Sequence, residues 1–99
     1  MAKYDVFPNP DGAGYLLDVQ ADLLEGLNSR IVVPLFPLNS APQPARTLNP
    51  VFDINGVEMV MVTQFLAAAP SYILKSPVAT VADRFSDITA ALDFLFQGY

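Results

Sequence analysis

Residues 51–62 read VFDINGVEMVMV, and the Asn55-Gly56 pair at their centre constrains the fold more than any other feature. A two-residue type I′ turn needs positive φ at both central positions, which Asn-Gly supplies at low steric cost. Such a turn fixes the pairing register of the strands it joins. Ile54 is then opposite Val57, Phe52 opposite Met59 and Val51 opposite Val60. The same register sets Asp53 against Glu58 on one face, where like charges repel. This pair reads either as carboxylates for a metal or acid–base chemistry, or as a solvated face with a cation nearby.

Other strands are expected around this hairpin. Lys3 to Phe7 reads as the first, followed by a turn-rich loop holding Pro8, Pro10, Gly12 and Gly14. Tyr15 to Gln20 alternates, with Tyr15, Leu17 and Val19 on one face and Asp18 and Gln20 on the other. Ile31 to Leu35 is a short apolar run whose Pro34 predicts a sheet edge or a bulge. Pro37 to Pro50 reads as a long loop or flap, with a short edge pair around Arg46 to Leu48. Thr63 to Pro70 suggests a turn of helix, and Tyr72 to Leu74 a last short strand. Thr80 is a good N-cap, with Asp83 supporting the first helical turn. Val81, Phe85, Ile88, Leu92 and Leu95 then form one helical stripe that ends at Gly98. Strands followed by a terminal helix predict a mainly β fold with one C-terminal α-helix. The sheet is expected to be strongly curved or a partly open barrel, with the helix packed against it.

Composition narrows the function. The chain has 99 residues, which predicts one domain spanning 1–99. It is 53% hydrophobic, a large share for a small monomer, and this predicts a homodimer. Its net charge is −5, and Lys3, Arg30, Arg46, Lys75 and Arg84 are scattered. Phosphate neutralisation by Lys and Arg drives nucleic-acid binding, so no direct contact with nucleic acid or an anionic membrane is expected. A basic protein partner suits the charge. No signal pattern or spanning segment is evident, so a cytoplasmic location is expected. There is no His and no Cys, so a standard Ser-His-Asp triad is excluded. Gly12-x-Gly14 is too short to be a phosphate loop. A non-enzyme without cofactor or metal is expected.

Two apolar features remain. In DVQADLLEG, Leu23 and Leu24 are flanked by Asp22 and Glu25. They either tuck under the sheet or stand out as contact residues; tucking of at least one is expected, because loop leucines cap cores. The segment FLFQGY closes the sequence. Phe96 is expected at the edge of the helical stripe and Phe94 near the opposite face, beside Asp83 and Asp87. Phe94 and Tyr99 either seal the core or dimer seam, or join Phe96 in an exposed cluster. A helix C-terminus is partially negative and favours Lys or Arg. None follows Arg84, whereas Asp93 and the terminal carboxylate add negative charge. The expectation is a docking surface for a partner's guanidinium, which would pair with the acids and lie over a ring.

The segments YLLDVQADLL, RIVVPL, NPVFDINGVEMVMVT and ITAALDFLFQGY, in this order and spacing, resemble the CcdB family of toxins. The resemblance spans almost the whole chain. It implies an SH3-like barrel with a C-terminal helix, assembled as a homodimer. It also implies binding to the A subunit of DNA gyrase across the dimer axis, trapping gyrase with its DNA cleaved. A CcdA-like antitoxin with a disordered tail would release it. The gyrase-facing positions of the family match Leu23, Leu24, Asp93, Phe96, Gln97, Gly98 and Tyr99. The family's Phe-Trp-Gly-Ile ending is replaced by Phe96-Gln97-Gly98-Tyr99, and Gln97 has no ring to stack on an arginine. Endoribonuclease toxins of MazF type share this barrel and supply the alternative from another class. A non-toxic antitoxin-binding homologue is the third.

Overall fold

The computed structural model describes residues 2–98. Seven strands form one sheet: β1 (Asp5–Pro8), β2 (Tyr15–Asp18), β3 (Ser29–Pro37), β4 (Val51–Ile54), β5 (Val57–Met61), β6 (Ala67–Pro70) and β7 (Ala79–Thr80). Helix α1 (Phe85–Gln97) follows them. The strand order is β4-β5-β3-β2-β1-β7, and β6 also pairs with β3. The sheet nearly closes on itself, a barrel-like arrangement that matches the expected fold class.

The β4–β5 hairpin has the predicted register, with Ile54 opposite Val57 and Asp53 opposite Glu58. Asn55 has φ 53° and Gly56 has φ 89°, as the tight turn requires. The Asp53 carboxylate accepts the Gly56 N–H at 2.7 Å. Asp53 and Glu58 are both exposed, and no group of three or more potential metal ligands occurs among the described residues.

Strand β3 is central, and its Pro34 lies neither at a sheet edge nor at a bulge, being paired in regular register with Leu16. One flank of β3 pairs with β2 over Val32–Leu35. On the other flank, Ser29–Val32 pair with β6 and Leu35–Pro37 with β5. Pro34 falls between these two partners. Its carbonyl accepts the Val62 N–H at 3.0 Å, while its missing donor is tolerated at the handover. Of the Thr63–Pro70 stretch in which a turn of helix was expected, Thr63–Phe65 is a 3-10 turn and Ala67–Pro70 is a strand. An open flank of β3 outweighs the helical preference of three alanines, which is only a few tenths of a kcal/mol per residue.

Three further expectations change. Arg46 to Leu48 form a turn. Buried Asn49 ties this loop down by donating to the Met61 carbonyl at 3.0 Å and accepting the Ala45 N–H at 3.0 Å. Tyr72 to Leu74 hold part of the 3-10 turn Ser71–Ile73, and the last strand is β7, paired with β1. The terminal helix begins after a 3-10 turn, Ala82–Arg84. Thr80 is not the N-cap that was expected: Val81 holds that position for the turn and Arg84 for the helix, and Thr80 Oγ1 accepts the Ala82 N–H at 3.3 Å from one residue further out. Because a 3-10 turn has about 3.0 residues, the 3.6-residue phase starting at Val81 is lost. Phe85 is consequently 55% exposed, whereas Ile88 and Ala91 are fully buried.

Both faces of β1–β2–β3 are covered. Val6, Leu17, Val33, Leu35 and Phe52 pack with Ile88 of α1 in the main core. Phe7, Leu16, Val32, Ala69 and Leu74 form a second, smaller cluster on the opposite face. Asp18 and Gln20, on the face of β2 opposite Leu17 and Val19, are both buried. Asp18 meets Arg30 of β3. The Arg30 Nη2 lies 2.7 Å from Asp18 Oδ2, and Arg30 Nε donates to the same oxygen at 2.9 Å. Both side chains are fully buried. Burial raises the Asp18 carboxyl above its ordinary value, and the Arg30 hydrogen bond pulls against that rise.

Two outcomes test this architecture. Gly14 has φ 90°, and a Cβ there would lie 2.2 Å from the Leu35 carbonyl oxygen. Gly14→Ala is expected to cost about 2–3 kcal/mol or more, measured as a urea midpoint; an unchanged midpoint contradicts the close β2–β3 approach. Arg30→Met leaves Asp18 buried without its cation and is expected to cost about 3–5 kcal/mol at neutral pH. In that variant the folded-state pKa of Asp18 rises further. Its contribution is then intact below the unfolded value of 3.8 and lost as pH rises through the folded value. The deficit against the parent should narrow on acidification, and a deficit independent of pH would contradict the pairing.

Candidate functional site

Strand β2 stops at Asp18, and the chain does not enter β3 until Ser29. Residues 21–28 form a loop between them, with a 3-10 turn at Asp22–Leu24. The loop is held from beneath by the buried Gln20 side chain. Gln20 Nε2 donates to the carbonyls of Leu24 at 3.3 Å and Ser29 at 3.4 Å. Gln20 Oε1 accepts the Ile31 N–H at 3.1 Å. At the front of the loop, Asp22 Oδ1 accepts the Lys3 N–H at 2.8 Å and stands 3.8 Å from Arg30 Nη2.

With the loop so anchored, its leucines face outward. Leu23 is 96% exposed and Leu24 is 49% exposed. The expectation that at least one would tuck into the core is overturned. Neither leucine belongs to a core cluster. A third leucine, Leu27, is also exposed and escaped the sequence reading, because it falls outside the adjacent pair.

The end of α1 lies beside this loop. A cleft of about 430 Å³ is lined by Val19, Gln20, Ala21, Leu24, Ile31, Leu66, Leu92 and Phe96. Two of the residues singled out from distant parts of the sequence, Leu24 and Phe96, therefore share one apolar depression. Phe96 lies at the edge of the buried stripe, as the helical period predicts, yet is 70% exposed because the cleft and not the core lies beneath it. Phe94 is 38% exposed, less than expected for the far face. Asp93 and Gln97 are exposed near Phe96 on the last turns. Gly98 closes the helix with φ 81°, its N–H donating to the Phe94 carbonyl at 2.9 Å. That left-handed cap is a glycine position. Tyr99 falls outside the described residues.

No basic side chain occupies the last turn of α1. Arg84 is committed at the other end, 2.8 Å from Asp87 and with its guanidinium 4.7 Å from the Phe52 ring centre. Arg30 is sealed against Asp18. Among the described residues no ion pair involves Asp93. The surface thus combines exposed leucines, an exposed ring and unbalanced negative charge. This chemistry suits contact with an apolar and cationic surface. The signal for Gln20 was present in the LDVQ stretch, but a polar residue in an alternating strand reads first as solvated.

No helix among the described residues is long and apolar enough to cross a membrane. No curated protein matches the chain. The profile of the CcdB protein family matches residues 3–98, which covers every strand, the leucine loop and the terminal helix. The barrel-like sheet with its single C-terminal helix agrees with that match, and the chain belongs to the CcdB family, toxins of toxin–antitoxin pairs.

Proposed function

We propose that this chain is a homodimeric toxin that binds the A subunit of DNA gyrase, traps gyrase with its DNA cleaved, and is released by a CcdA-like antitoxin. It acts by contact and not by catalysis. The observation that carries this reading is the meeting of Leu24 and Phe96 at one cleft in a CcdB-family chain. Leu23, Asp93, Gln97, Gly98 and Tyr99 complete the proposed contact set. The unbalanced helix end supports a cationic partner surface. Exposed Phe65, Phe85 and Phe94 support a second chain covering part of the apolar surface. The net charge of −5 disfavours an RNA-cleaving groove. A cytoplasmic location follows from the same target.

Gln97 favours one specific variation on this function. Without a ring at that position, the stacking contact on a gyrase arginine is lost, worth about 0.5–2 kcal/mol. Antitoxin binding with weak poisoning is the resulting phenotype.

Incubating the protein with gyrase and supercoiled plasmid should accumulate cleaved DNA, read on a gel after protease treatment. Gln97→Trp is expected to lower the concentration needed by about two- to thirtyfold. Tyr99→Ala and Leu24→Ala are expected to raise it. Absence of cleaved DNA at any concentration, with antitoxin binding intact, contradicts poisoning. RNA fragments released without gyrase would identify a nuclease of MazF type instead.

A further inference from the structure

Gln20 is buried, and the function proposed above gives it no role. Its position is unusual for a polar residue at a strand end. In a regular antiparallel ladder the Ile31 N–H would bond to Val19, since the Val19 N–H already donates to the Ile31 carbonyl at 3.1 Å. Instead the Ile31 N–H goes to Gln20 Oε1 at 3.1 Å. The side chain thus replaces one rung of the sheet. Its amide nitrogen continues past the strand to the carbonyl of Leu24 within the loop and that of Ser29 at its exit. The Gln20 backbone is itself clamped: its N–H donates to Asp18 Oδ1 at 3.0 Å, and its carbonyl accepts from Arg30 Nη2 at 3.4 Å. One residue therefore joins the buried ion pair through its backbone, and the end of the β2–β3 ladder and the carbonyl of a docking leucine through its side chain.

We infer that Gln20 is a positioning residue for docking: it holds the loop 21–28 so that Leu23 and Leu24 point away from the core and toward the partner. This inference rests on the docking reading above. Without the amide, the Ile31 N–H and the Ser29 carbonyl lose their Gln20 partner, the Leu24 carbonyl keeps only the Leu27 N–H at 3.1 Å, and the loop exchanges among conformations of which only some present the leucines. Binding then falls by the fraction of molecules in the competent conformation.

The test uses the full chain and the purified gyrase A subunit, with binding measured well below the unfolding transition. Gln20→Met removes all three hydrogen bonds. Gln20→Glu keeps the acceptor for Ile31 and deletes both donors to the loop, so it separates the loop from the sheet. Each is expected to weaken binding by about tenfold. Amide exchange within 22–28 should accelerate in the free protein while β1, β4 and β5 keep their protection. Leu23→Ala should weaken binding without accelerating exchange. The double variant Gln20→Met/Leu23→Ala should lose less binding free energy than the two single variants added together, because Gln20 acts through the leucines. Normal binding by both Gln20 variants, with Leu23→Ala weakened, overturns the positioning role alone. Normal binding by Leu23→Ala and Leu24→Ala overturns the docking reading and the positioning role with it. Faster exchange spread evenly over the whole sheet, with binding lost only in proportion to unfolding, also overturns it.

Discussion

A guanidinium and a carboxylate meet at 2.7 Å with no exposure to solvent, at the point where β2 and β3 part. Removing two such charges from water costs several kcal/mol each, and the attraction between them often does no more than offset it. The cost is higher here because Arg30 Nη1 finds no acceptor among the described residues. Apolar residues of similar volume would fill the same space at less cost. What an apolar pair lacks is direction. The Arg30 fork and the Asp18 carboxylate also bind the Gln20 backbone, and the Gln20 amide binds the loop. Orientation is passed from a rigid sheet to an exposed turn through hydrogen bonds alone.

This arrangement explains how a short β domain displays apolar side chains without burying them. Leucines near a core are normally drawn into it, with about 1.5–3 kcal/mol available for each. The polar network occupies the ground beneath the loop, so inward collapse of Leu23 or Leu24 would strand buried donors and acceptors. The helix contributes the other half of the surface. Its stripe of Ile88, Ala91 and Leu92 packs on the sheet, and its last turn overhangs the cleft with Phe96. The cap at Gly98 ends the helix beside that overhang, with no basic side chain to neutralise it.

The sequence was most legible where geometry is local. Asn55-Gly56 permits little other than a tight hairpin, and its register followed residue by residue. The end of α1 at Gly98 was equally plain, because a glycine there meets the left-handed cap. Legibility failed where a distant strand decides the outcome. Ala67–Pro70 became a strand because β3 had a free flank, which no window of the sequence contains. Pro34 was placed at an edge by its missing donor, whereas two different partners happen to change over at that residue. The burial of Asp18 and Gln20 was not legible because alternation gives a face but not what covers it. The candidate site divides in the same way. Leu23, Leu24 and Phe96 stood out as apolar residues in polar surroundings, but the cleft that Leu24 and Phe96 share depends on the packing of α1 beside β2. Gln20 was hidden by the same covering that makes it important.

The account holds that the leucine loop and the last turn of α1 act as one contact surface, prepared by the buried network beneath them. Amide hydrogen exchange of the protein, alone and saturated with the gyrase A subunit, tests this most directly. Residues 22–27 and 92–98 are expected to gain protection together, with the hairpin tip at 53–58 unchanged. Protection confined to the hairpin tip or to the opposite face around Tyr72 and Lys75, with the leucine loop unaffected, would contradict it.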